Sequence, residues 1–442
     1  MQIIEPYIAR LESLAVQLPV VQQIARYTLE VTHALNGELS KTLRELVKPS
    51  DLQEAGAFFT GEDMSNELVA SIPADSLATI TVFDPSCGGG NLLLATARRF
   101  LLAPTLIETI ADWSERLYGM DIHAEFVRAT RARLMLLATL RGLTEAKPEF
   151  FNCQAPKLEK SFPYIVVANS LQVNWPKVGF YLLNPPFNRE PAPRWCKWAT
   201  SKTSQAALFV SKCLTEAEPT SIIRAILPDV LRSGSNYAKW RRHIQHLASI
   251  EAIELLGQFD DNTKVDVFRL TLTAGGHLLE QPVMWVDNTP PAEITKTIGN
   301  LFQVSVGRVV PHRDPKEGQD YPYLDVHNVK PWATLVAGQS RRQFLGVTFT
   351  PPFVVVRRNS RARDLERAIG TIITTHQEQL EQVAVENHLL VLTPNNGTLA
   401  ECETLLACLR YPATNQWLNA RICCRHLTVS SIQAIPWWPI TV

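Results

Sequence analysis

The run Thr79-Ile80-Thr81-Val82-Phe83 leads without a break into Asp84-Pro85-Ser86-Cys87-Gly88-Gly89-Gly90, and the helical pattern Asn91-Leu92-Leu93-Leu94-Ala95 follows at once. A β-branched apolar run predicts a strand, and a glycine-rich turn that opens directly into a helix predicts the first crossover of a doubly wound α/β sheet. Such a turn is a place for a nucleotide-type ligand, because glycines let the backbone approach closely and the amides at the helix start face it. A dinucleotide fingerprint would read G-x-G-x-x-G, whereas this turn reads D-P-x-C-G-x-G. An acidic residue at the strand end suits pyrophosphate poorly and a cationic amino-acid moiety well. A glycine connector with a capping Asp is the plainer alternative.

The alternation then continues. Leu117 to Ile122 reads as a short second strand ending in Asp121, with a helix over 124–140. An acidic residue there is where doubly wound folds hold a ribose diol, and Ile122 beside it can cover one face of an adenine ring. Residues 162–168 give a third strand ending in Asn169-Ser170, and 178–183 a fourth. A helix over 204–214, a strand over 221–227, a helix over 237–247, a strand over 250–256 and a last antiparallel strand over 265–273 complete one α/β domain with a mainly parallel sheet.

The fourth strand stops at Asn184-Pro185-Pro186-Phe187. Two prolines after a buried apolar run make a stiff strand exit, since proline fixes its own φ and cannot donate to a ladder. At the carboxyl edge of the sheet an amide side chain can accept a hydrogen bond from an amino group. The neighbouring backbone carbonyls can accept its second proton, and Phe187 offers a flat face for a ring. These parts suit the holding of an exocyclic amino group on a planar base.

Around this core the chain is less informative. Apolar spacing predicts a helix from Ile3 to Leu18 ended by Pro19, then a second helical pattern from Val20 to Leu46 interrupted at Asn36-Gly37. Gly56 to Gly61 reads as a loop, in which Thr60 taken alone is a turn or cap residue. Beyond Thr289-Pro290-Pro291 the pattern changes to short strands, with basic loops at Arg341-Arg342 and from Arg357 and Arg358 to Arg361 and Arg363. Arginines on loops can contact phosphates and base edges, and they also furnish ordinary solvated surfaces. The organisation expected is therefore a helical segment over 1–50, an α/β domain over 51–290 and a mixed α+β domain over 300–442.

Formal net charge is zero over 442 residues, so a nucleic-acid surface, if present, must be local. The eight cysteines show no metal spacing, no metal site is evident, and reduced thiols in a cytoplasmic protein are expected. Neither a signal peptide nor a membrane span is expected from the sequence.

With these motifs in hand, the chain resembles the amino-type (adenine-N6) DNA methyltransferases of the restriction-modification kind, over roughly 50–290 and less specifically over 300–442. The resemblance implies an S-adenosylmethionine-dependent, Rossmann-like fold and site-specific methylation of a flipped adenine in double-stranded DNA. It implies that Asp84, Gly88 and Gly90 line the methionine end of S-adenosylmethionine, with Pro85 and Cys87 of the same turn also at the cofactor, that Asp121 takes the ribose, and that Ile122 packs on its adenine. Thr60 falls where the family has a threonine near the cofactor carboxylate, with Gly61 in place of the usual proline. Asn169 stands where the family usually has an acidic residue. Asn184, Pro185, Pro186 and Phe187 would be catalytic, and Arg341, Arg342, Arg357, Arg358, Arg361 and Arg363 would contact DNA. A separate restriction endonuclease or other defence-system subunits are the further partners it suggests. Methylation of cytosine-N4, RNA or protein, and a non-catalytic specificity or scaffold subunit, remain as alternatives.

Overall fold

The computed structural model describes residues 4–21, 24–46, 61–70, 72–146, 148–151, 157–259, 265–275, 283–286, 291–360, 364–375, 381–422 and 426–439. Its contacts divide the chain into two compact units, Met1–Leu231 with Ala238–Val283, and Arg232–Tyr237 with Met284–Val442. No described helix is long and apolar enough to cross a membrane.

The first unit is built on a seven-stranded sheet. Its strands are β1 (Val82–Asp84), β2 (Leu117–Asp121), β3 (Ile165–Val167), β4 (Phe180–Leu183), β7 (Ile222–Pro228), β8 (Ala248–Gln258) and β9 (Asp266–Ala274), in the order β3-β2-β1-β4-β7-β9-β8. Between β4 and β7 the chain also forms a separate two-stranded hairpin, β5 (Arg189–Pro191) and β6 (Lys202–Ser204). β1 pairs in parallel with both β2 and β4, and β9 runs antiparallel between β7 and β8. All four residues of β4 are buried, as a parallel strand covered on both faces requires. Because β1 lies between β2 and β4, the sheet order reverses direction beside it, and this is where open α/β sheets take ligands.

The strand expected over 79–83 is shorter and later. Ile80 N still donates to Ser76 O at 2.9 Å, closing the turn that follows a 3-10 segment over Ala74–Ala78. Extended backbone therefore begins only at Val82, and Asp84 is the last strand residue.

Helices α1 (Glu5–Val21), α2 (Ile24–Leu35), α3 (Glu38–Leu46), α4 (Glu62–Ala70), α5 (Asn91–Ala97), α6 (Leu106–Arg116), α7 (Ala124–Glu145), α8 (Gln205–Glu216) and α9 (Ala238–Leu247) complete the unit. Pro19 does not end α1, which runs on to Val21. A proline in the last turn forfeits one backbone bond and stops the helix soon afterwards instead of at once. Ile4, Ile8, Leu11, Leu14 and Leu18 of this segment share one core with Phe126, Leu134 and Met135 of α7. Arg128 of α7 adds ion pairs to Glu5 at 2.7 Å and Glu12 at 2.6 Å.

A fully buried guanidinium joins these N-terminal helices to the glycine turn. Arg133 on α7 donates from Nε to Ala34 O at 2.8 Å and from Nη2 to Leu35 O at 3.2 Å, while Nη1 reaches Gly89 O and, at 2.8 Å, Asn91 Oδ1. Arg98 adds bonds to Leu35 O and Asn36 Oδ1. The last carbonyls of α2, which a helix leaves without internal partners, are thus met by arginines from α7 and from the end of α5.

The second unit centres on a five-stranded sheet. It comprises β10 (Phe302–Val306), β12 (Thr334–Val336), β14 (Phe353–Arg357), β15 (Gly370–Thr374) and β17 (Leu389–Pro394), in the order β10-β17-β14-β15-β12. Strands β11 (Gln319–Leu324), β13 (Arg341–Phe344) and β16 (Ala384–Val385) form a smaller sheet in the order β13-β11-β16. Val354 and Val356 pack with Leu405 and Trp417 from helices α10 (Leu399–Arg410) and α11 (Pro412–Arg421), whereas Phe353 and Val355 pack with Leu324 and Val385 of the smaller sheet. A strand with partners on both faces can be apolar at every position, which accounts for the unbroken valines.

Replacing Arg133 by leucine leaves Ala34 O and Gly89 O without this donor and Leu35 O with Arg98 alone. Each buried carbonyl so stranded costs about 1–3 kcal/mol. Urea unfolding is expected to show a stability loss of at least about 2 kcal/mol, and an unchanged midpoint would show that the N-terminal helices do not depend on this contact.

Candidate active site

The site is assembled at the carboxyl ends of β1, β2 and β4. Asp84 closes β1 and is only 2% exposed, with Oδ1 accepting from Ser86 N at 3.0 Å. The turn then folds on itself through Gly90 N to Cys87 O at 2.7 Å, with Gly88 at φ +49° and Gly90 at φ +82°. Gly90 is required twice over, because its backbone is left-handed and a Cβ there would lie 2.6 Å from Thr130 Cγ2. A Cβ on Gly89 would run into Leu39.

Asp121, at the end of β2, reaches across to this turn. Its Oδ2 accepts from Gly88 N at 2.9 Å and its Oδ1 from His123 N at 2.9 Å, while Thr130 Oγ1 donates to Gly88 O at 2.9 Å. The carboxylate placed for a ribose is therefore also the group that fixes the turn. Ile122 beside it is 58% exposed, and Val167, opposite Asp121 in the β2–β3 register, is exposed too. Asn169 is exposed, and its Oδ1 accepts from Leu171 N at 3.1 Å, so its amide braces its own loop. Ser170 Oγ donates to Pro85 O, and Trp175 Nε1 to Ser170 O at 2.7 Å, which pins that loop to the turn.

On the other side of β1, Asn184 is the first residue past β4 and is 8% exposed. Phe83 of β1 stands opposite Tyr181 of β4, and one turn of chain later Ser86 Oγ lies 3.5 Å from Asn184 O. Two motifs almost a hundred residues apart in sequence thus meet at neighbouring strand ends. Pro185 is buried, Pro186 and Phe187 are half-buried, and the Phe187 ring meets Phe259 edge-on at 5.5 Å and 80°.

Electrostatics single out one acid. Burial pushes the Asp84 carboxyl up to about 8, against the Ser86 amide, which favours its ionised form, and with the Asp121 charge as a smaller upward push. Burial also raises Asp121, opposed by the His123 and Gly88 amides. The Cys87 thiol is driven well above its usual value by burial and both carboxylates, so it is inert packing.

The remaining residues expected at a site divide into those outside the described residues and those with partners in the second unit. Thr60, Arg361 and Arg363 lie outside the described residues. Arg341 and Arg342 stand on β13 and not in a loop. Arg341 is paired with Asp320 at 2.5 Å and Glu381 at 2.6 Å. Arg342 is buried, donates to Asp314 O at 2.7 Å and lies over the Tyr323 ring at 5.7 Å. Arg357 and Arg358 are half-buried and donate to Val329 O at 2.8 Å and Asn387 O at 2.9 Å. Four of the six arginines therefore already have partners within the fold. Conversely, Thr130 and Arg133 support the glycine turn and had no mark in the sequence, since each lies within a helix more than thirty residues away from what it touches.

Asp84 also yields a test by pH. Its folded value lies above the free value, so it is protonated near pH 7, and a cation bound against it would favour the ionised form. Binding of such a ligand should release a proton below about pH 8 and tighten as pH rises towards 8. Calorimetry of S-adenosylmethionine binding in buffers of different ionisation enthalpy would register that release, and Asp84→Asn should abolish it.

The family model described as N-6 DNA Methylase matches residues 42–303. No curated protein is significantly similar to the sequence. Among solved structures, the DrdV–DNA complex aligns over 95% of this chain and 59% of its own, at 11% identity and a TM-score of 0.50. The type IIG restriction endonuclease BpuSI aligns over 88% and 58%, at 15% identity and a TM-score of 0.41. The type I restriction-modification system methyltransferase subunit from Streptococcus thermophilus aligns over 49% and 43%, at 15% identity and a TM-score of 0.33. The chain thus spans only about half the length of these solved chains.

Proposed function

The chain belongs to the N-6 DNA methylase family, and on that footing we propose that it is a site-specific DNA adenine-N6 methyltransferase of a restriction-modification or anti-phage system. The observation that carries this reading is the meeting of the glycine turn and the Asn184-Pro185-Pro186-Phe187 strand exit at adjacent parallel strands, with Ser86 against Asn184 O.

The residues around the turn fit S-adenosylmethionine by their chemistry. A buried acid raised to about 8 gains from a cationic partner, the left-handed glycine at 90 keeps the turn tight, and Ile122 and Val167 present apolar surface beyond the acid at the end of β2. Asp84 would hold the ammonium, Asp121 the ribose, and Ile122 one face of the adenine. Asn169, in place of the acidic residue usual in such sites, would accept from the adenine amino group on Oδ1, which already accepts from Leu171 N. Bound there, S-adenosylmethionine supplies a methyl group already activated by its sulfonium sulfur.

The chain's own part is placement. An adenine must leave the duplex to reach such a recess, and Phe187, held by Phe259, gives it a surface to stack on. Asn184 Oδ1 and the Pro185 carbonyl accept the two amino protons, which turns the nitrogen lone pair to the side of the glycine turn. Burial of Asn184 excludes water from those bonds and strengthens them. Fixing both partners in line supplies most of the acceleration, so no nucleophile or dedicated base is called for. The second unit, with its separate core, would choose the DNA sequence.

Asn184→Ala should reduce methyl transfer by at least about a hundredfold, the scale of a lost preorganised contact to the reacting group. S-adenosylmethionine affinity should stay within a few-fold of the parent. Near-normal adenine methylation in that variant, measured with radiolabelled methyl donor on plasmid DNA, would sink the mechanism.

A further inference from the structure

Immediately after Phe187 the chain makes an excursion that the mechanism does not use. Asn188 O accepts from Gln205 N at 2.9 Å, closing the β5–β6 hairpin onto the start of α8. Within it Arg189 pairs with Ser204 and Pro191 with Lys202. Arg189, Arg194, Lys197 and Lys202 are exposed, and the hairpin's one acid, Glu190, is taken by Gln205 Nε2 at 2.7 Å. Trp195, at its tip, is 41% exposed, whereas Trp198 is buried.

A second segment, some forty residues on, adds to the same charge. Helix α9 carries Lys239, Arg241, Arg242, His243 and His246 and no acid. It is seated on α8 by Trp240 Nε1, which donates to Ala207 O at 3.1 Å. The hairpin and α9 are neighbours through this packing. Burial lowers His243, and the charges of His246 and of Lys197 from the hairpin lower it further. Lys239 and Arg242 are exposed. Six exposed cations thus lie on two neighbouring elements, one of which begins at the strand exit, while in the chain as a whole basic and acidic residues balance. A local excess of this kind on a neutral protein is the footprint of a polyanion.

We propose that the β5–β6 hairpin and α9 form one basic surface of the catalytic unit that grips the phosphates of the DNA strand carrying the target base, with Trp195 stacking against the base pair beside the flipped one. This rests on the adenine methyltransferase reading for the identity of the strand. Placement fits the task, because the hairpin begins one residue beyond the ring on which the base would stack, so strand and base are held by one stretch of chain. An aromatic ring against exposed bases stabilises a gap that flipping would otherwise leave unstacked.

The full chain with Arg194→Ala and Lys197→Ala together tests the surface. Binding to a random-sequence duplex, followed at several salt concentrations, should weaken and its log–log salt slope become shallower by roughly 2, at about 0.9 per phosphate contact. S-adenosylmethionine affinity should not change, which controls for folding. An unchanged slope with cofactor binding intact overturns the proposal, as does a loss of affinity for an RNA stem and not for DNA. Trp195→Ala should slow single-turnover methylation of a fully paired site by roughly tenfold and leave a duplex with a mispaired target adenine nearly unaffected. Equal slowing on both overturns the stacking role. Should the parent chain transfer no methyl to DNA at all, the adenine reading falls while the salt slope still decides whether this surface holds a duplex.

Discussion

The candidate site depends on a guanidinium that never touches it from the solvent side. Arg133 is fully buried with no carboxylate in ion-pair contact among the described residues, so its donors are met by carbonyl dipoles and an amide oxygen, with Glu62 a weaker attraction from further off. Burial lowers its affinity for a proton to about 10, still well above neutral pH, so it remains charged. A buried cation of this kind is tolerated only where its donors are satisfied, and here they are satisfied by two pieces of chain at once. One is the end of α2 and the other is Gly89. The shape of the turn and the seat of the N-terminal helices are a single energetic unit.

A similar economy runs through the rest of the site. Asp121 holds Gly88 N, Thr130 holds Gly88 O, Ser170 holds Pro85 O and Ser86 lies against Asn184 O. The turn is clamped from β2, α7, the loop after β3 and the end of β4 before any ligand arrives. Such preorganisation would matter for the proposed methyl transfer, since a looser turn would spend binding energy on ordering itself.

The sequence made these strand ends legible because their chemistry is local. A β-branched run, an acid, glycines and a helix state their own geometry, and two prolines after four apolar residues do the same. Alternation of strands and helices made the mainly parallel sheet legible, though not the order of its strands. What stayed hidden depends on neighbours distant in the chain. Arg341-Arg342-Gln343-Phe344 alternates exposed and buried as a strand should, yet only Phe344 is apolar, so its period could not be seen. The buried place went to Arg342, whose head finds Asp314 O and the Tyr323 ring. Pro19 misled in the opposite sense, a helix breaker placed late enough to break little. The basic hairpin had no motif to announce it, and the packing of α9 on α8 is what makes it part of a surface.

The span of the Arg133 contacts has a consequence for how the chain reaches its folded state. Ala34 and Arg133 are 99 positions apart, and Gly89 and Arg133 are 44. Both closures must be made before the glycine turn has its final form, and contacts of such separation are the slow ones to gain because the chain entropy is lost before they reward it. Strands β1 and β2 can pair over a shorter loop. During synthesis the turn that would receive the cofactor therefore cannot complete these contacts until α7 has emerged, well after its own residues have been made.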